Sequence, residues 1–175
     1  MQVAERIRWA VDQLAIHPES RVLEIGCGHG QALGLLADRA SAGYVLGIDR
    51  SGAMIAAARR RNQAVIDEGR IEVRQVAIES GLSDVGMFDV VLGINVPLFG
   101  ERNHPGGSVI RSLLTPAGRI GIFLQPPTPH ELEHLSRGLV ESLLGNRFAI
   151  ERETFQAFQP APMIGIIAFL PEVNR

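Results

Sequence analysis

Residues 22–30 read Val-Leu-Glu-Ile-Gly-Cys-Gly-His-Gly, an apolar run that breaks into alternating glycines. A second apolar run ends in Asp49, 21 residues after Gly28. The order is strand, glycine turn, helix, strand, carboxylate. Such a turn needs dihedrals and close backbone approach that a Cβ would block. A doubly wound α/β sheet provides both, and it grips a nucleoside at this kind of turn.

The rest of the chain fits that frame. Apolar residues recur at helical spacing over residues 2–16, at Val3, Ile7, Ala10, Val11 and Leu14. His17-Pro18 closes this helix, because a proline disfavours the α conformation before it. Residues 21–25 form a short buried strand, 31–39 an amphipathic helix and 44–49 a second strand. Ser51 caps a helix reaching about residue 65. Residues 71–76 alternate apolar with polar and suit a strand nearer a sheet edge, whereas 88–94 are nearly all apolar, as in a central parallel strand.

Residues 108–114 read as helix, and Thr115-Pro116-Ala117-Gly118 as the turn into a strand at 119–124. Pro126, Pro127 and Pro129 stop that strand and start a helix through about residue 144. Residues 148–155 and 163–170 close the chain as two strands. The expected fold is α/β: a three-layer doubly wound Rossmann-like sheet of seven strands, mostly parallel with a terminal antiparallel hairpin. No linker, repeat or low-complexity tract intervenes, so residues 1–175 read as one domain, with the helix of residues 2–16 roofing a pocket.

Bulk properties exclude several classes. A chain of 175 residues can bury a substantial core without staples. A formal net charge of −2 offers no basic field for wrapping nucleic acid. Arg59-Arg60-Arg61 does not alter that, since three consecutive residues cannot share one helix face. Cys27 is the only cysteine, which rules out an internal disulfide and a cysteine metal cluster. Glu5, Arg6 and Arg8 interrupt any apolar leader, and the apolar stretch at 163–170 is too short for a bilayer. A cytoplasmic protein without a membrane partner is expected.

Two carboxylates carry the functional signal. Glu24 interrupts a buried strand, and a buried carboxylate is costly without partners. It either accepts from the amides of the glycine turn or also serves an ammonium-bearing ligand. Asp49 suits bidentate acceptance from two ribose hydroxyls, or serves as an ordinary turn or helix-cap aspartate.

In these segments the chain resembles the class I S-adenosylmethionine-dependent methyltransferases. Residues 22–30 match the family's first motif, and Gly47-Ile48-Asp49 its ribose-binding acid. Met87-Phe88-Asp89-Val90-Val91-Leu92 matches its central strand, and residues 113–120, Leu-Leu-Thr-Pro-Ala-Gly-Arg-Ile, the lead into strand five. The likeness spans about residues 2–170. It implies S-adenosylmethionine as cofactor, with Glu24 and the backbone of Gly26, Cys27 and Gly28 at the methionine end. Asp49 would take the ribose, Arg50 would flank the adenine, and Asn95 would stand by the cofactor where the chain leaves strand four. The family's acid for the adenine edge is missing, because those positions are Ala77 and Ile78. The Ile78 amide and Glu79 are left to meet the base. Gln31 occupies the position where a dinucleotide fingerprint needs glycine or alanine, which argues against a nicotinamide enzyme.

The resemblance implies methyl transfer to an oxygen or nitrogen of a small molecule, in which the protein chiefly aligns the acceptor. His104 is the best candidate base, since histidine titrates near neutrality; its plainer reading is an exposed loop residue. Asn95 either orients the acceptor or caps a turn. His29 is a second candidate base, and Trp9 either shapes the pocket roof or packs its helix on the core. Residues 95–98, Asn-Val-Pro-Leu, do not match the Asn-Pro-Pro-aromatic motif of amino-methylating relatives. Phe155 and Phe158 are candidate acceptor, core or homodimer contacts. Two other readings stand beside this one: a cofactor-binding protein without turnover, and a methyltransferase acting on RNA or protein. Asp49→Ala is expected to weaken cofactor binding and leave the fold intact.

His130-Glu131-Leu132-Glu133-His134 matches the H-E-x-x-H zinc signature. At about 100° per residue, Leu132, Leu135, Leu139 and Leu143 make the buried stripe and both histidines fall opposite it. Helix capping and first-turn acids account for this segment without a metal.

Overall fold

The computed structural model describes residues 3–96 and 105–171. Among them a seven-stranded sheet runs in the order β3-β2-β1-β4-β5-β7-β6. The strands are β1 (Arg21–Ile25), β2 (Tyr44–Asp49), β3 (Ile71–Gln75), β4 (Phe88–Ile94), β5 (Leu114–Leu124), β6 (Ala149–Gln156) and β7 (Met163–Phe169). Pairings β3 through β5 are parallel, while β7 runs antiparallel to both β5 and β6. The order reverses between β1 and β4, which creates a crevice at the carboxyl ends of those strands.

Helices cover both faces because the central strands are apolar on both. On one face α1 (Glu5–Asp12), α2 (Gln31–Arg39) and α3 (Gly52–Asp67) bury Val11, Leu33, Leu36, Ile55 and Ala58 against Val22, Val45 and Val90. On the other, α4 (Pro105–Leu113) and α5 (Leu132–Gly145) bury Ile110, Leu139 and Leu143 against Leu23, Leu46 and Val91. The three-layer expectation holds, and β3 lies at a sheet edge as its alternating pattern suggests. No helix among the described residues is long and apolar enough to cross a membrane.

Three boundaries differ from the sequence reading. The first helix ends at Asp12, well before Pro18. Arg152 on β6 donates to the Gln13 carbonyl and to its side-chain amide, so the chain leaves the helix there to bring Leu14 into the core. The Thr-Pro-Ala-Gly segment is not a turn preceding β5 but lies inside it. Leu114 pairs with Phe88, regular pairing resumes at Val90 with Arg119, and the intervening residues bulge. Burial of Leu114 holds the segment extended, and the Thr115 hydroxyl donates to Asp89 Oδ1 at 3.3 Å. The proline-led helix divides into a short 3₁₀ turn at Pro129–Glu131 and α5, with Thr128 donating to Glu131 Oε1 at 2.9 Å.

Phe123 ties the layers together. It is fully buried on β5, and Trp9 of α1 meets it edge-on with ring centroids 5.6 Å apart. Trp9 also meets Phe158, at 5.9 Å. Trp9 thus packs its helix on the core, the plainer of its two expected roles. Gly121 and Gly165 flank the Phe123 ring, and a Cβ at Gly165 would overlap it. Phe123→Ala is therefore expected to cost about 3–5 kcal/mol, and Gly165→Ala about 1–3 kcal/mol from overpacking. Chemical denaturation checks both; a loss below 1 kcal/mol for the first would mean this aromatic centre contributes little.

Candidate functional site

The crevice at the strand-order reversal is a cleft of about 450 Å³. That volume suits a small ligand. Its walls come from four successive strand ends: Ile25 and Gly26 after β1, Ile48 to Arg50 after β2, Val76 to Glu79 after β3, and Asn95 and Val96 after β4.

The glycine turn forms one rim. Gly26 and Gly28 have φ of +67° and +53°. A Cβ at Gly26 would come within 2.9 Å of Val96 Cγ1, so that glycine is required by packing. A Cβ at Gly28 would meet nothing within 4 Å. Its bare backbone is therefore not demanded by neighbouring side chains, and it leaves the space above the turn open to a ligand.

Asp49 fixes this turn in space. Its Oδ2 accepts from the Gly28 amide at 2.9 Å and its Oδ1 from the Ser51 amide at 2.8 Å. One carboxylate thus clamps the turn after β1 to the start of α3. Each oxygen retains a lone pair, so two hydroxyls can still be received. The expectation that Asp49→Ala leaves the fold intact needs revision, because that change strips two backbone amides of their acceptor. The Ser51 hydroxyl caps α3 from the Met54 amide, as its position suggests.

Glu24 is 4% exposed, and its Oε2 has no hydrogen-bond partner among the described residues. It does not bond the turn amides; those at Cys27 and Gly28 go to the Ile48 carbonyl and Asp49. Burial, and then the Asp49 charge, push its carboxyl up to about 8 from 4.5. Of its two sequence readings, the purely structural one lacks a partner. Cys27 is buried, and burial together with the Glu24 and Asp49 charges pushes its thiol strongly upward, so it is not a thiolate.

The other candidates separate. Arg50, Ala77, Ile78 and Glu79 line the cleft as expected, whereas Glu24, Cys27 and Gly28 are not among its lining residues. Asn95 lines it too, but its Oδ1 accepts from the Gln125 amide at 2.8 Å with φ at +54°, so it also braces the end of β4 against β5. His29 is exposed and sits 2.7 Å from Gln31. His104 lies outside the described residues. No α1 residue lines the cleft. His130 and His134 are both exposed, opposite the stripe that buries Leu139 and Leu143.

Sequence reasoning missed Val76 and Val96 as walls and Asn62 as a brace. The Asn62 amide donates at 3.0 Å to both the Gly30 and Ala58 carbonyls from a kink in α3. A polar residue in register with buried Ile55 and Ala58 was the available sign. Gln31 was noted only as a mismatch; its Oε1 accepts from the Ala4 amide at 3.2 Å, which ties the segment before α1 to the glycine turn.

A parallel sheet with a glycine turn and an acidic strand end at its switch point defines a nucleoside-binding α/β protein. Residues 22–118 match the methyltransferase domain family, and the chain belongs to it. It is similar to an uncharacterised methyltransferase, YdaC, of Bacillus subtilis (strain 168), at 28% identity over 119 residues. That alignment covers 68% of this chain and 64% of the relative. The chain spans only about a quarter of the other curated relatives it matches, at 24%, 25% and 28% of their lengths. A solved methyltransferase from Aquifex aeolicus superposes with a TM-score of 0.75 at 16% identity, covering 94% of this chain and 89% of that one. Geranyl diphosphate C-methyltransferase from Streptomyces coelicolor A3(2), solved with Mg2+, geranyl diphosphate and S-adenosyl-L-homocysteine, gives 0.74 at 14% identity, covering 94% and 79%. At these identities the likeness to solved structures is one of fold.

The buried acid has a consequence for the ligand-free protein. Unfolded chain gives up the Glu24 proton near 4.5 and folded chain near 8, so the folded state binds more protons in between. Its contribution to stability therefore falls as pH rises through that window. Glu24→Gln is expected to remove this decline and raise stability at pH 8 by an upper limit of roughly 5 kcal/mol. Denaturation at pH 5 and pH 8 checks this; equal unfolding free energies of variant and parent at pH 8 would mean the carboxyl is not penalised by burial.

Proposed function

We propose that the chain binds S-adenosylmethionine in this cleft and transfers its methyl group to an oxygen or nitrogen of a small molecule, acting as one methyltransferase domain. The observation that carries this reading is that one cleft gathers the Gly26 turn, Asp49 and the Ala77–Glu79 segment at the β1/β4 reversal.

The residues present fit the cofactor. Asp49 has capacity for two ribose hydroxyls beyond its two amide bonds. Ile25, Ile48, Val76 and Ile78 supply apolar walls for a flat base, with Glu79 and Arg50 at its edge. The unpartnered Glu24 carboxyl offers a counter-charge to an ammonium group. When bound, the cofactor supplies the electrophilic methyl carbon and its own leaving group. The protein's share is to hold the acceptor in line, with Asn95 orienting it and His104 taking its proton. Orientation of that kind is worth on the order of 7–11 kcal/mol of barrier.

Acceptor identity is the finer part of the proposal. The low net charge favours a small molecule over RNA, and a C-methyltransferase among the similar folds makes carbon an acceptor to test beside oxygen and nitrogen. Ala77, standing where the family places an acid, favours as second reading a cofactor-binding protein without turnover.

Calorimetry with S-adenosylmethionine and S-adenosylhomocysteine, followed by transfer of labelled methyl to panels of small acids, phenols, amines, RNA and protein, tests the proposal. One-to-one binding and transfer to a small molecule are expected. Binding without transfer to any acceptor supports the second reading, and absence of binding ends both. Asp49→Asn, which keeps one acceptor oxygen, should weaken binding roughly tenfold or more, about 1.4 kcal/mol. Gly28→Ala should reduce affinity by more than its roughly 1 kcal/mol effect on stability, since its Cβ would occupy ligand space. Unchanged affinity in both would remove the turn from the site.

A further inference from the structure

Among the described residues Glu24 is enclosed without a counter-charge, its Oε2 unpartnered, and it directly precedes Ile25 and Gly26 of the cleft wall. Its register partner on β2 is Gly47, with the like-charged Asp49 two residues on. Its partner on β4 is Leu92. The turn adds the Cys27 thiol, which burial and then the Glu24 charge push upward. From α2, Leu33 closes over Gly47, where a Cβ would lie 2.8 Å from its Cδ2 and 3.2 Å from Cys27 Sγ. The buried polar group of α3 is the neutral Asn62 amide, which is bonded to Gly30 and Ala58. Among the described cationic or titratable residues of the adjoining turns, His29, Arg50 and Glu79 are exposed, and His29 is engaged with Gln31.

We infer that Glu24 reads the charge of the bound ligand, surrendering its proton when the cationic methyl donor enters and doing so less for the demethylated product. The inference rests on the cleft being an S-adenosylmethionine site. The donor carries a sulfonium and an ammonium; the product keeps only the ammonium. A buried carboxyl in the neutral form costs little, whereas a positive ligand stabilises its ionised form. The O–H bond breaks, its electron pair stays on the carboxylate, and the proton passes to solvent. The site thereby holds the donor more firmly than the spent cofactor through one residue, without a contact unique to the methyl group.

A carboxyl titrating near 8 is about 90% protonated at pH 7, so donor binding should release roughly 0.9 proton there. Calorimetry of the wild-type protein at pH 7.0, in buffers of different ionisation enthalpy, counts that proton. Release near this value for S-adenosylmethionine and a smaller value for S-adenosylhomocysteine are expected. From pH 5.5 to 7.0 the donor Kd should fall roughly 30-fold, tenfold per unit, because ionised Glu24 becomes more available. Glu24→Gln should abolish that slope, and His29→Asn should keep it. Measurable binding with no proton release, equal release by both ligands, or a slope that survives in Glu24→Gln would each overturn the inference while leaving the cofactor site standing. Failure of both ligands to bind at every pH would overturn the cofactor reading and this inference with it.

Discussion

One carboxylate joins the fold to the site. Asp49 ends β2, yet its two oxygens accept from the amide in the turn after β1 and from the amide opening α3. Two strand ends and a helix start are therefore held at fixed separation by a single side chain. Gly26 and Asp49 belong to successive turns of the cleft wall, and the Val76 amide, donating to the Asp49 carbonyl at 3.0 Å, joins the third. Asp49 stabilises the fold, so the ligand role proposed for it separates from that structural one only in variants that keep an acceptor oxygen.

The second acid behaves in the opposite way. Glu24 sits among Gly47, Leu92 and the Cys27 thiol, with Asp49 opposing its ionisation. Nothing in the hydrogen-bond network of the described residues compensates Oε2. Such a group lowers stability wherever it ionises. The contrast is physical: a clamp needs partners inside the protein, and the cation-binding role proposed for Glu24 requires that it have none.

Much of this was legible in the chain. The three-layer sheet follows from apolar runs alternating with amphipathic segments, and the glycine turn and Asp49 from their spacing. Gln31 departs from the dinucleotide pattern, and the matched family is the methyltransferase domain. The misses share a cause. The end of α1 is set by Arg152, 139 residues away, and the bulge in β5 by the pairing of Leu114 with Phe88. Asn62 holds the glycine turn across 32 residues. Local propensity carries no record of such distant partners.

The sequence by itself determined which elements form and that the Gly26 turn and Asp49 meet at the carboxyl ends of the strands, because period and glycine placement are local properties. Tertiary structure alone decided what the two acids do. Asp49 and Glu24 look alike in the chain, each a carboxylate at or near a strand end. Packing gave one of them two amides and left the other buried, with an unpartnered oxygen and a like charge. Ionisation depends on those surroundings rather than on residue type, so the difference arises only when the strands come together.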